Sequence, residues 1–171
     1  DIRLLYPPIG MAYVASYLRT SGHEVRQLDL AAEKRLDLRT TLGLVECSRT
    51  SGVMLKILFK DEYPVSAKEL HQDLMKPEVR HISILPSDYS IRDVENVIKM
   101  IPNFTDSCVH RIRQDKSEVA GFHVVWDSAL LSLLIAKKLK EIDPDLLIIL
   151  GGPDCSRLFR GELFSHLGLV D

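Results

Sequence analysis

The chain is predicted to be an α/β protein built on a doubly wound parallel sheet. Three observations carry that prediction. Residues 2–30 read as strand, turn, helix, strand, and residues 119–150 repeat that order. The stretch between them, about residues 31–118, is polar-rich and well supplied with helix-start signals, so it reads as a mostly helical insertion after the second strand. At 171 residues the length suits one domain with a large insertion.

Ile2 to Tyr6 is a short apolar run, the first strand, and the chain is expected to begin at or slightly inside it. Pro7 and Pro8 stop it, because proline donates nothing to a ladder and restricts the residue before it. Ile9, Ala12, Tyr13, Ser16 and Tyr17 then recur at helical spacing, with Val14 and Leu18 widening the apolar face. Gly22 is placed to end this helix in the left-handed conformation. Glu24 to Leu30 alternates imperfectly and reads as the second strand.

In the insertion, Ser66 with Glu69 and Ser90 with Asp93 have capping-box spacing. Val53 to Phe59 is ambiguous between helix and strand. Pro64, Pro77, Pro86 and Pro102 divide the segment, giving three or four short helices. The charged residues of 60–80 read as a solvated helical face. Val119 to Val125 is the third strand, of the kind buried on both faces of a parallel sheet. Asp127 or Ser128 caps a helix running to Ile142, with Lys137, Lys138 and Lys140 near its end, where cations suit the dipole. Leu146 to Leu150 is the fourth strand. A helix over Arg157 to Leu167 and the start of a fifth strand at residues 169–171 follow.

Composition narrows the function classes. A net charge of −2 provides no field for nucleic acid or an anionic membrane. No apolar run reaches the roughly 20 residues that span a bilayer, and Asp1 opens directly into the first strand rather than into a signal peptide. Cys47, Cys108 and Cys155 are odd in number and far apart, which suits a reducing cytoplasm. No G-x-G-x-x-G, Walker-type or G-x-S-x-G pattern is present. His71, His81 and His110 lack metal-ligand spacing and are expected on the insertion surface.

In parallel sheets ligands sit beyond the carboxyl ends of the strands. The turns of interest are therefore residues 7–11, 123–128 and 151–156. Gly151 and Gly152, followed by Pro153 and Asp154, let backbone approach a bulky ligand; an ordinary turn needing positive φ is the alternative. Pro7, Pro8, Ile9 and Gly10 form a rigid turn before the first helix, read as a ligand contact or as close helix-on-sheet packing. His123 is read first as a core histidine satisfied by a backbone partner and second as facing a ligand or ligating a metal. Trp126 offers a flat face for a macrocycle or caps a core edge.

Taken together, the Pro7-Pro8-Ile9-Gly10 turn, the Ser21-Gly22-His23 helix end, the Leu28-Asp29-Leu30 strand end, Val119 to Phe122, the lysine-rich helix, Asp143-Pro144-Asp145 and Gly151-Gly152-Pro153 resemble the cobalamin-binding domain of cobalamin-dependent radical S-adenosylmethionine enzymes. The resemblance covers residues 2–30 and 119–154. It implies a flavodoxin-like (Rossmann-like) domain that holds cobalamin over the carboxyl edge, with Pro7, Pro8, Ile9, Gly10, His123, Val124, Val125, Trp126, Gly151, Gly152 and Pro153 lining the site. It also implies a partner, a downstream radical domain of the same polypeptide. That domain would carry S-adenosylmethionine and a 4Fe-4S cluster, and the parent enzyme would be a methyltransferase.

This chain departs from such proteins in two ways. The D-x-H-x-x-G pattern that delivers an axial histidine is absent, and so is the C-x-x-x-C-x-x-C cluster pattern of the radical domain. The chain by itself is accordingly expected to catalyse nothing and to place no protein ligand on the metal. A cofactor-free docking domain of the same architecture and a flavin- or nucleotide-binding module are the other readings.

Overall fold

The computed structural model describes residues 9–28, 37–125, 128–153, 155 and 167–168. The chain divides into two units, Asp1–Arg35 and Leu36–Asp171, each described by itself. In the first, helix α1 spans Ile9–Thr20. It ends as the sequence predicts: Gly22 takes φ +89°, the His23 N–H reaches back to the Leu18 carbonyl at 3.1 Å, and the Gly22 N–H reaches the Arg19 carbonyl at 3.1 Å. These paired bonds satisfy carbonyls that the helix end would otherwise orphan. Tyr13 and Tyr17, expected on a buried stripe, are 75% and 66% exposed.

The second expected strand is not formed over its described part, residues 24–28. One cause is local. The Val25 carbonyl accepts from Arg19 Nη2 at 2.7 Å and Nε at 3.2 Å, which occupies the acceptor that a neighbouring strand would use. The first strand (residues 2–6), the helix over 157–166 and the strand at 169–171 lie outside the described residues.

The second unit opens with five helices: α2 (Leu38–Arg49), α3 (Ser51–Leu58), α4 (Ala67–Leu74), α5 (Pro77–Arg80) and α6 (Ile91–Arg113). Where three or four short helices are expected, the described residues of this segment form five, one of them 23 residues long. Pro102 does not break α6. It sits on the exposed side, where its missing N–H frees one carbonyl, while Val94, Val97, Ile101, Phe104, Thr105, Cys108 and Val109 are buried at helical spacing. Burial of that stripe outweighs one lost hydrogen bond. Pro77 opens α5 at a position where no N–H is needed. The ambiguous run at Val53–Phe59 is helical to Leu58, with Val53, Met54, Ile57 and Leu58 buried.

Both capping signals are used. The Glu69 carboxylate accepts from the Ser66 N–H at 2.8 Å, and the Asp93 carboxylate accepts from the Ser90 N–H at 2.7 Å.

Strand β1 (Val119–His123), helix α7 (Ala129–Ile142) and strand β2 (Leu147–Gly151) complete the described elements. The strands pair in parallel, Val119 opposite Leu147 through His123 opposite Gly151, with α7 as the crossover. The protein is therefore α/β, with seven helices and one two-stranded parallel sheet among the described residues.

Burial alternates along both strands. Ala120 and Ile148 are buried, and Phe122 and Leu150 pack on the core; Val119, Leu147 and Ile149 are 44%, 47% and 53% exposed. Burial on both faces is expected from the apolar runs; among the described residues of this unit it is found on one face, the one its helices cover.

The helical segment is no appendage to this sheet. Leu44, Met54, Leu58, Leu70, Leu74, Val94, Val97 and Ile101 form one core cluster with Val124, Leu130 and Leu133. Polar ties bind α7 to it: Lys137 donates to the Leu58 carbonyl at 3.2 Å and lies 5.4 Å over the Phe59 ring, and Lys138 pairs with Asp106. Lys140 donates to the Pro144 carbonyl at 3.2 Å. Among the described residues no helix is long and apolar enough to cross a membrane.

The charges of residues 60–80 are more than a solvated face. Asp73, on α4, accepts from Lys56 of α3 at 2.6 Å and pairs with Lys76 at 2.7 Å. A second cluster joins α2 to α6: Arg39 donates to both Asp93 oxygens at 2.8 and 2.9 Å and pairs with Asp88 at 3.2 Å. The bonds from Arg39 hold the Asp93 carboxyl below the usual range, and those from Lys56 do the same for Asp73.

Groups with depressed folded values stabilise the fold above the unfolded carboxyl pKa and lose that contribution as pH falls through the folded values. The urea midpoint is expected to be flat near neutrality and to fall below about pH 4. Asp93→Asn should lower the neutral midpoint and flatten the acid decline. An acid profile unchanged in that variant would count against the cluster as a source of stability.

Candidate site at the carboxyl edge of the sheet

β1 and β2 end side by side at His123 and Gly151, and the chain after each stays close to the other. The Val124 N–H donates to the Gly151 carbonyl at 2.6 Å, extending the pairing by one bond. Gly152 follows with φ +121°. A Cβ on Gly152 would stand 2.5 Å from the Val124 carbonyl oxygen and 3.1 Å from the Val124 nitrogen. The close backbone approach that two glycines allow is thus used at Gly152 by the fold's own Val124. Gly151 differs: a Cβ there would meet no atom within 4 Å.

His123, Val124, Val125, Gly151, Gly152 and Pro153 therefore share one edge. Val124 is fully buried in the core cluster, so only its backbone is available there. Strand alternation puts His123 on the exposed side with Val119 and Gly121, opposite Gly151. Its imidazole is half-buried and makes no hydrogen bond among the described residues, so the expected core histidine with a backbone partner is not found. Ile9 and Gly10 lie in α1, in the other unit; Gly10 is exposed, and a Cβ on it would meet no atom of the described residues within 4 Å. Pro7, Pro8, Trp126, Asp127 and Asp154 lie outside the described residues.

Several backbone donors among the described residues of this edge bond within the fold. The Val125 N–H donates to Ser128 Oγ at 3.1 Å, the Ser128 N–H to the Val125 carbonyl at 2.9 Å, and the Cys155 N–H to the Gly152 carbonyl at 3.1 Å. In the first turn of α7 the Leu130 N–H donates to Ser48 Oγ at 3.3 Å. Pro153 has no N–H to offer.

Ser128 and Ser48 escaped the sequence reading as turn-setting residues. Asp127 or Ser128 is expected to cap this helix; the Ser128 hydroxyl bonds back to Val125 instead. Ser48 lies 82 positions from its partner, and no local pattern signals that contact.

Other candidate groups are placed elsewhere. Cys47 and Cys108 are buried and in no disulfide, and burial pushes the Cys47 thiol up to about 12, which leaves it unreactive. His71 is half-buried rather than on the surface, with Nε2 3.1 Å from the Tyr89 carbonyl; His81 and His110 are exposed. The described residues contain no cluster of three or more His, Cys, Asp or Glu able to hold a metal. A cleft of about 380 Å³ opens at the amino ends of the strands, among Arg113, Lys116, Glu118, Asp143 and Asp145. That is the edge opposite the one parallel sheets use for ligands. No protein-family model, curated protein or solved structure matches the chain.

Proposed function

We propose that the chain is the cobalamin-binding module of a radical S-adenosylmethionine enzyme, a flavodoxin-like domain that holds the corrin at the carboxyl edge of its sheet. The observation that carries this reading is one edge of a parallel β–α–β unit. There a half-buried His123, without a side-chain hydrogen bond among the described residues, stands opposite Gly151, where a Cβ would meet no described atom within 4 Å. His123, Val125, Gly151 and Pro153 would line the corrin there, and the sequence resemblance adds Trp126.

When bound, cobalamin supplies a transferable methyl group, and the parent enzyme is proposed to be a cytoplasmic methyltransferase. S-adenosylmethionine and the 4Fe-4S cluster belong to its downstream radical domain. The task of this chain is to bind and orient the corrin. The cofactor-free docking reading is favoured by one observation, the exposed apolar face formed by Val119, Leu147 and Ile149.

Titration of the purified chain with hydroxocobalamin, followed by corrin absorption, tests the proposal. A saturable spectral change is expected, weakened several-fold by His123→Ala. The cobalt(II) paramagnetic resonance spectrum should be the same in both proteins, because His123 is assigned to the corrin edge and not to the metal. Absence of any spectral change or retention at high micromolar corrin would favour the docking reading.

A further inference from the structure

We propose that Ser128 is a positioning residue for the carboxyl-edge site, and that Ser48 anchors the helix start which carries it; this rests on the corrin reading above. Ser128 immediately precedes α7, but its hydroxyl makes no bond to its own helix. It turns back instead: Oγ accepts from the Val125 N–H at 3.1 Å and has the Val125 and His123 carbonyls at 3.2 and 3.4 Å for its own proton. The Ser128 N–H donates to the Val125 carbonyl as well, at 2.9 Å. One residue thereby ties the start of α7 to the backbone of His123 and Val125 at the strand end.

The usual duty of the residue at this position, capping the first turn, passes to Ser48. Fully buried on α2, it accepts from the Leu130 N–H at 3.3 Å. The helical segment thus holds the start of α7 in place, and the freed Ser128 holds the turn. Neither serine needs to touch the ligand. Removing the Ser128 hydroxyl leaves the Val125 N–H without its acceptor and lets the His123–Val125 backbone drift from the geometry the ligand requires.

The test compares the wild-type chain, Ser128→Ala and Ser128→Thr in hydroxocobalamin titrations, with thermal midpoints and amide hydrogen exchange on the same samples. Ser128→Ala is expected to weaken binding about tenfold, the scale of one lost hydrogen bond, and to speed exchange at Val125 while Leu133 exchange is unchanged. Ser128→Thr, which keeps the hydroxyl, should restore both. Wild-type affinity in the alanine variant would overturn the positioning role and leave the corrin reading standing. If the wild-type chain binds no corrin, the corrin reading fails. Exchange then decides the local claim: faster Val125 exchange in the alanine variant, rescued by threonine, upholds Ser128 as the residue that sets the turn. Equal exchange overturns it.

Discussion

Gly43→Ala is expected to destabilise the protein by about 3 kcal/mol, although alanine is the better helix former. In an exposed helix interior the same change gains about 1 kcal/mol, because glycine loses more backbone entropy on folding. Gly43 lies inside α2, is buried, and faces Tyr89 and α6. A Cβ there would fall on the Tyr89 hydroxyl and stand 2.7 Å from Val97 Cγ2 and 3.2 Å from Tyr89 Cζ. Neither neighbour can retreat cheaply. Val97 is fully buried on α6, and Tyr89 is buried with the Arg39 guanidinium 5.8 Å from its ring centre. The helices must separate, or Tyr89 must leave its place, and either opens the core that Leu44 and Val97 share.

Urea unfolding should show a lower midpoint with an unchanged slope. Gly52→Ala on α3, where a Cβ meets nothing within 4 Å, is the control and should be neutral or stabilising. Tyr89→Phe separates the causes further. The Tyr89 hydroxyl is buried without a hydrogen-bond partner, so its loss should cost little, and in that background the Gly43→Ala penalty should shrink by about 1 kcal/mol or more. Equal midpoints for Gly43→Ala and wild type would show that α2 and α6 part freely at this contact.

What the sequence made legible divides along physical lines. Signals that act within a few residues were read correctly: the Gly22 helix end, the Ser66–Glu69 and Ser90–Asp93 boxes, the lysine-rich helix to Ile142 and the two parallel strands beside it. Signals decided by tertiary burial were not. Pro102 was read as a breaker because the buried stripe that carries α6 past it draws its energy from α2, α4 and α7, which a local window cannot see. The Glu24–Leu30 alternation was imperfect, and Arg19 takes a carbonyl that a strand there would need. At the site, the turns after β1 and β2 were legible because a parallel sheet brings its carboxyl ends together. The division of labour within them was not. Val124 is core, and Ser128 and Ser48 act through contacts that leave no spacing pattern.

Gly152→Ala should lose about 3 kcal/mol of stability, against less than about 1 kcal/mol for Gly151→Ala. Two costs combine at Gly152. Its φ of +121° lies where side chains are strained, which costs about 1–3 kcal/mol. The added Cβ also meets backbone, the Val124 carbonyl oxygen at 2.5 Å, and backbone cannot swing aside as a side-chain tip can. The Val124 N–H bond to the Gly151 carbonyl at 2.6 Å holds the two chains at that approach, so relieving the clash means breaking the last rung between the strand ends. From sequence alone, a glycine that admits a ligand and a glycine that admits the neighbouring strand look the same.

The structure separates the two glycines, and paired substitutions test the separation. Gly152→Ala should lower the urea midpoint strongly. Gly151→Ala should leave it nearly unchanged and, on the corrin reading, weaken hydroxocobalamin binding because its methyl projects into the open space beside His123. A Gly152→Ala protein as stable as wild type would mean that Val124 does not press on this turn, and the close approach would again be open to a ligand.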